Sequence, residues 1–287
     1  MRFGFLLKKG KPEARAMAVE LGRVLRERGC ALVVLDEDAT TLPEARAVTR
    51  EELGPAVDAL VVLGGDGTLL LGASLVSDHG VPIFGVNLGS LGFVTHYARG
   101  EATAALADAC SGKLGVEDRV RLRVTIGGTK GPLDGQSRSA VNDAVFTQPA
   151  LARLLDLEAR LDGAVIATYK ADGLIVATPT GSTAYTLAAG GPILTPDVQA
   201  LVLTPICPHT LTHRPLVVRA DGELRVKNIS GGAANLTVDG QWGQEIPDGG
   251  WIDVRKADRP LRLFKSPTPF FGILRQKLSW GERAERA

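Results

Sequence analysis

The sequence predicts an α/β protein in two parts. An N-terminal doubly wound α/β domain is expected over residues 1–112 and a C-terminal mainly β domain over 113–265, with 266–287 packing back onto the first. Three observations carry this. Apolar runs alternate with helix-periodic segments up to about Gly112. From about Leu114 the texture changes to short Val-, Ile-, Leu- and Thr-rich runs punctuated by Gly and Asp, and near the end the chain turns helical again.

In order, strands are expected at 3–7, 31–35, 59–63 and 81–86. Helices are expected at 12–28, in a region after residue 35, and after Thr68. Such alternation implies a parallel sheet covered by helices, with its ligand edge at the carboxyl ends of the strands. In the second part, runs at 121–126, 154–161, 165–169 and 224–226 read as strands of a mainly β domain, and 270–278 reads as a helix with one apolar face. There is no internal repeat, low-complexity tract or long linker.

The chain has 287 residues, 45% of them hydrophobic, and a formal net charge of +1, which excludes the disordered classes and leaves room for two domains. With 33 Lys and Arg against 32 Asp and Glu, nothing favours nucleic acid or an anionic membrane as partner, so any anion site must be local. Cys30, Cys110 and Cys207 are scattered, odd in number and without a C-x-x-C pair. That argues against a disulfide framework and a structural zinc site, and for a reducing, cytoplasmic setting. The first nine residues break into charge too early for a signal peptide or a membrane span and read as the first strand.

Gly64-Gly65-Asp66-Gly67-Thr68 follows the apolar run 57–63 directly. Glycines let the backbone turn sharply and aim amides at phosphate oxygens. A carboxylate repels phosphate unless it handles a proton or a metal ion, so Asp66 points to chemistry. The plainer alternative is an Asp capping a helix that starts near Thr68; the buried strand before it and Leu69-Leu70-Leu71 behind it favour the phosphate loop. A second turn, Gly85-Val86-Asn87-Leu88-Gly89-Ser90-Leu91-Gly92-Phe93, suits chain reversal and phosphate contact equally.

Asp172-Gly173-Leu174-Ile175-Val176-Ala177-Thr178-Pro179-Thr180-Gly181-Ser182-Thr183-Ala184-Tyr185 combines an acid, a buried strand, a turn and a hydroxyl-rich helix start. Ser182 and Thr183 stand where a helix N-terminus offers free amides. Small residues from Ala184 to Gly191 leave room for a flat ring, on which Tyr185 can stack. A capped helix with Tyr185 in the interior fits the local pattern about as well.

Together these segments resemble the NAD kinase family in its bacterial type. The likeness rests on 64–70, 85–93, the Asn142-Asp143 pair, 172–192 and the ending Leu274-Arg275-Gln276-Lys277-Leu278-Ser279-Trp280-Gly281. The Gly-Gly-Asp-Gly-Thr loop is shared with lipid kinases and phosphofructokinase relatives, whereas 172–192 is far more specific. The resemblance implies an NAD kinase-like two-domain fold and transfer of the γ-phosphoryl of ATP to the 2′-hydroxyl of the adenosine ribose of NAD, giving NADP. The implied cofactor is Mg²⁺ or another divalent cation with ATP; no metal-ligating residue of the chain itself is expected. Asp66 is implied as proton acceptor, and Gly64, Gly65, Gly67 and Thr68 as the phosphate loop. Implied NAD contacts are Asp66, Gly67, Asn142, Asp143, Lys170, Asp172, Thr183, Ala184, Tyr185, Thr186, Leu187 and Ala188, with Arg153 and Gln241 matched less securely. Lys170, two before Asp172, matches the basic residue of members that use ATP rather than inorganic polyphosphate. A homodimer or homotetramer is implied.

No G-x-x-x-x-G-K-[ST] and no G-x-G-x-x-G occurs, so neither common nucleotide fingerprint is available. Cys207, His209 and His213 match no zinc spacing, and Ser182 lacks a G-x-S-x-G elbow. The competing readings are a lipid kinase, disfavoured by Asn142-Asp143 and 181–185, and a non-catalytic NAD sensor, disfavoured by Asp66.

Overall fold

The computed structural model describes residues 1–149 and 154–281. The chain divides into two compact units, one of Met1–Asp118 joined by the chain that returns at Leu261, the other of Arg119–Pro260.

The first unit is built on one sheet. Strands Arg46–Val48, Ala31–Leu35, Arg2–Leu7, Ala59–Gly64, Ile83–Asn87, Leu261–Phe264 and Val116–Arg119 lie side by side in that order. The first six pair in parallel, and the short Tyr97–Ala98 also pairs with Ile83–Asn87. Helices Pro12–Arg26 and Arg99–Cys110 cover the face that carries Phe3, Phe5, Val61 and Phe84. On the opposite face, helices Arg50–Ala56 and Asp66–Val76 meet Gly4, Leu6, Leu60 and Val62. A sheet covered twice needs strands that are apolar on both sides, which is why Ala59–Gly64 is buried throughout.

The structure differs from the sequence expectation in three places. The region after residue 35 is not simply helical: it holds a single turn at Asp36–Asp38, the strand Arg46–Val48 and the helix Arg50–Ala56, which a capping box between Thr49 and Glu52 starts. The helix Arg99–Cys110 lies outside the expected elements, although its alanine-rich run is a strong helix former. The first sheet also claims residues assigned to the β-rich part, because Val116–Arg119 and Leu261–Phe264 are hydrogen-bonded neighbours in its ladder.

The second unit holds two six-stranded sheets. One runs Leu216–Arg219, Ala200–Ile206, Gly173–Ala177, Asp143–Thr147, Ala234–Val238, Trp242–Ile246; the other runs Ala164–Ala171, Leu155–Leu161, Leu224–Asn228, Trp251–Lys256, Leu122–Gly127, Ser137–Ala140. Alternate residues of both, among them Phe146, Leu174, Leu236, Leu157, Val226 and Ile252, form one core. Period-two alternation in the strands is the sequence signature of such a sandwich.

The returning strand is anchored by rings. Phe84 stacks on Tyr97 at 4.1 Å and meets Phe264 edge-on at 6.0 Å, while the Tyr97 hydroxyl donates to Lys265 O. Phe84→Ala is expected to cost about 3–5 kcal/mol of stability, read as a lower urea midpoint.

Candidate functional site

The first constellation begins where the strand Ala59–Gly64 ends. The helix Asp66–Val76 starts at once with Gly65 as its N-cap, so Asp66 is its first helical residue and not the cap. Its carboxylate instead faces the loop after Ile83–Asn87. Oδ2 accepts from Phe93 N at 2.8 Å, and Oδ1 accepts from Val94 N at 3.3 Å, Thr95 N at 3.1 Å and Thr95 Oγ1 at 2.8 Å. A Cβ at Gly92 would overlap both Asp66 Oδ1 and Thr95 Oγ1, so the approach of the acid explains that glycine. Asn87 donates to Thr95 Oγ1 at 2.8 Å and accepts from Gly89 N at 2.7 Å. From the C-terminal helix Phe270–Leu278, Lys277 donates to Leu91 O at 2.6 Å and sits 4.9 Å over the Phe93 ring.

Gly65 and Gly67 are different. A Cβ at either would meet nothing within 4 Å, and neither has a positive φ. Neither packing nor backbone strain requires them, which leaves the space beside them for a ligand. A cavity of about 230 Å³ adjoins Gly64 and Gly65, with Lys8, Lys11, Glu13, Asn87 and Ser90 also in its wall. It lies at the carboxyl ends of Arg2–Leu7 and Ala59–Gly64, from which the strand order runs outward in opposite senses. That reversal is where open α/β sheets take their ligands.

In the second unit Asn142 and Asp143 open the strand Asp143–Thr147. Asp239, which the sequence reading did not single out, organises them: its carboxylate accepts from Val141 N at 2.7 Å, Asn142 N at 2.7 Å and Asp143 N at 3.1 Å. Its φ of 51° is a left-handed conformation that Asp tolerates in a turn, and the Asp239-Gly240 pair after an apolar strand was the available signal. The Asp143 side chain is buried. Burial, helped by the neighbouring Asp239 charge, pushes its carboxyl up to about 7. Asp239 is also raised by burial, against the pull of the three amides and of Arg121.

The 178–185 turn adjoins this pair. Thr178 N donates to Asn142 O at 2.9 Å, and a Cβ at Gly181 would overlap that same oxygen. The expected helix start is a single turn at Gly181–Thr183 and a four-residue helix at Tyr185–Ala188. Ser182 donates to Pro179 O at 2.6 Å and Thr183 to Thr180 O at 3.1 Å, so both hydroxyls serve the turn. Tyr185 is 44% exposed, which rules out the interior reading and leaves its ring open to stacking. Thr186 is buried, and its Oγ1 has no partner among the described residues. Ala184 and Leu187 are partly buried and Ala188 is exposed.

Lys170 and Asp172 stand at the far end of Gly173–Ala177 from Asn142, with Asp172 roughly 20 Å away along the strand, so the acids do not form one cluster. There Gln148 Nε2 approaches Asp172 Oδ1 at 3.5 Å, and Lys170 is exposed. Gln241 follows the Asp239 turn, its N–H donating to Val238 O at 3.0 Å. Arg153 lies outside the described residues. Among the described residues no three His, Cys, Asp or Glu side chains gather as a metal cage, and no helix is long and apolar enough to cross a membrane.

The raised Asp143 carboxyl has a sign. The folded state holds its proton more tightly than the unfolded state, so the stability it supports is complete below about pH 4 and lost as pH rises through about 7. Asp143→Asn is therefore expected to gain on the wild type in urea midpoint steadily between those limits. A difference that stays constant with pH would reject the buried-acid account.

Comparison with known proteins covers the whole chain. The profile described as the ATP-NAD kinase N-terminal domain matches residues 3–114, and that of the ATP-NAD kinase C-terminal domain matches 141–266. A protein named NAD kinase from Syntrophotalea carbinolica is 42% identical over 285 residues, 98% of this chain and 99% of its own. One of the same name from Geotalea daltonii is 44% identical over 274 residues, 95% and 96% of the two chains. Among solved structures, yeast NADH kinase complexed with NADH superposes with a TM-score of 0.93 at 26% identity, over 100% of this chain and 90% of that one. An NAD kinase from Archaeoglobus fulgidus in complex with ATP gives 0.77 at 27% identity, over 96% and 99%. With both domain profiles matched in order and relatives above 40% identity along almost its full length, this chain belongs to the ATP-NAD kinase family.

Proposed function

We propose that the chain is an NAD kinase that transfers the γ-phosphoryl of ATP, supplied as the magnesium complex, to the 2′-hydroxyl of the adenosine ribose of NAD. The hydroxyl oxygen bonds to the γ-phosphorus, the bond to the β-phosphate oxygen breaks, and ADP and NADP leave. The observation that carries this reading is the carboxylate of Asp66 in a glycine loop at the sheet's switch point. Three of its four donors lie on Oδ1 and one on Oδ2, so Oδ2 keeps an acceptor position for the ribose hydroxyl and its proton. Phosphoryl transfer has a loose transition state that gains more from orientation than from early proton abstraction, and a carboxylate fixed by four donors orients well.

Gly64, Gly65, Gly67 and Thr68 form the phosphate loop, with the Lys8 and Lys11 ammonium groups offsetting the donor's charge in the adjoining cavity. Asn142 and Asp143 hold the adenosine and Tyr185 stacks on a ring. Asp172, Thr183, Ala184, Thr186, Leu187, Ala188, Gln241 and Arg153 complete the NAD contacts. Lys170 favours ATP over inorganic polyphosphate. The enzyme works as a homodimer or homotetramer in the cytoplasm, a setting that three free thiols support.

Asp66 also anchors the 89–95 loop, so its presence alone does not separate a kinase from a non-catalytic NAD sensor. Turnover does. Purified protein with NAD and MgATP is expected to form NADP, scored with an NADP-specific dehydrogenase, from an oligomer by sedimentation. Asp66→Asn is expected to lower turnover roughly 10²–10⁴-fold while NAD still binds. No NADP from ATP or polyphosphate, with NAD binding intact, would favour the sensor; no NAD binding would favour a lipid acceptor; a fully active monomer would remove the oligomer. The lysines separate by donor: Lys8→Ala should raise KM for ATP and polyphosphate alike, with KM for NAD unmoved, whereas Lys170→Gly should shift only the ratio between the donors.

A further inference from the structure

Cys30 and Cys110 are 80 positions apart, yet their Sγ atoms lie 2.9 Å apart in the first unit, against about 2.04 Å in a disulfide. Ordered backbone holds each sulfur. Cys30 sits between the helix Pro12–Arg26 and the strand Ala31–Leu35, its N–H donating to Leu25 O at 3.0 Å. Cys110 is the last residue of the helix Arg99–Cys110. Both belong to the same apolar cluster, Cys30 buried and Cys110 partly exposed.

We propose that Cys30 and Cys110 are an oxidation site that closes to an intramolecular disulfide on meeting a peroxide or a glutathione disulfide. The bond braces the helix Arg99–Cys110 against the strand Ala31–Leu35 and leaves the ligand edge of the sheet untouched.

The chemistry balances. The Cys110 sulfur attacks one peroxide oxygen, the O–O bond breaks and water leaves, giving a sulfenic acid. The Cys30 sulfur then attacks the Cys110 sulfur, the S–O bond breaks, and hydroxide departs as water with the Cys30 proton. Two thiols lose two electrons and one peroxide becomes two waters; with glutathione disulfide, two exchanges release two glutathiones. The order follows from exposure. Burial and then the hydrogen bond to Cys110 push the Cys30 thiol up to about 11, and Cys110, the more exposed of the two, is the sulfur an oxidant reaches.

The position of the pair decides what the bond does. Cys30 precedes the amino end of a parallel strand, while the Gly64 loop lies at the carboxyl ends, roughly 15 Å away along a five-residue strand. The staple therefore acts on stability, and it does not depend on the kinase reading.

The test uses the full chain carrying Cys207→Ser, which removes the exposed third thiol. After hydrogen peroxide or glutathione disulfide, non-reducing peptide mass spectrometry is expected to find Cys30 joined to Cys110, and both thiols should be lost together from the denatured chain. The melting midpoint should rise by roughly 5 °C or more, return on reduction, and fail to move in Cys30→Ser or Cys110→Ser. NAD binding should be the same in the oxidised and reduced forms. Separate glutathione adducts or sulfinic acid without the linked peptide would overturn the site. A linked peptide with lost NAD binding, or with no change in the midpoint, would overturn the brace.

Discussion

The first unit depends on one carboxylate surrounded by amides. Asp66 gathers three consecutive main-chain N–H groups and a hydroxyl from 93–95, and so ties the helix that begins at the glycine loop to the turn after the next strand. Charge-assisted bonds of this kind are about twice as strong as neutral ones, and several converging on one group fix its orientation. Removing the acid would leave those amides unpaired in a partly buried site, so its loss is felt in the fold and in the chemistry together.

The second unit repeats the device. Asp239 collects the amides of 141–143 and presents Asn142 and Asp143 at the mouth of the 178–185 turn. In both units an aspartate fixes irregular backbone that no strand or helix can satisfy, and in both a glycine stands where a side chain would collide with the fixed segment: Gly92 in the first, Gly181 in the second. The geometry of each cluster is thus set by main-chain hydrogen bonding to one carboxylate.

Much of this was legible in the sequence. The strands Ala31–Leu35 and Ala59–Gly64 announce themselves because burial on both faces demands continuous apolar runs, and the glycine loop because three glycines and an acid follow such a run directly. Arg46–Val48 was not, being three residues long and apolar at one buried position. Asp239 carries no such signal, because an acid in an Asp-Gly turn looks the same whether its oxygens face water or amides. The partner of Asp66 was hidden for a related reason: periodicity reports which face is buried, never which loop folds over it. Cys30 and Cys110 meet only through the fold, since a separation of 80 positions carries no pairing signal.

The strand Leu261–Phe264 gives the molecule a history as well as a shape. It lies between Ile83–Asn87 and Val116–Arg119, so the sheet that opens the chain is completed by a segment made near its end. While the chain is being synthesised, Ile83–Asn87 waits with part of its edge unpaired, and the Lys277 grip on Leu91 and Phe93 does not yet exist. An open parallel edge is a template for foreign strands. The order of assembly therefore inverts the order of translation: the unit begun first is finished last, when the strand Leu261–Phe264 and the Lys277 contact are in place.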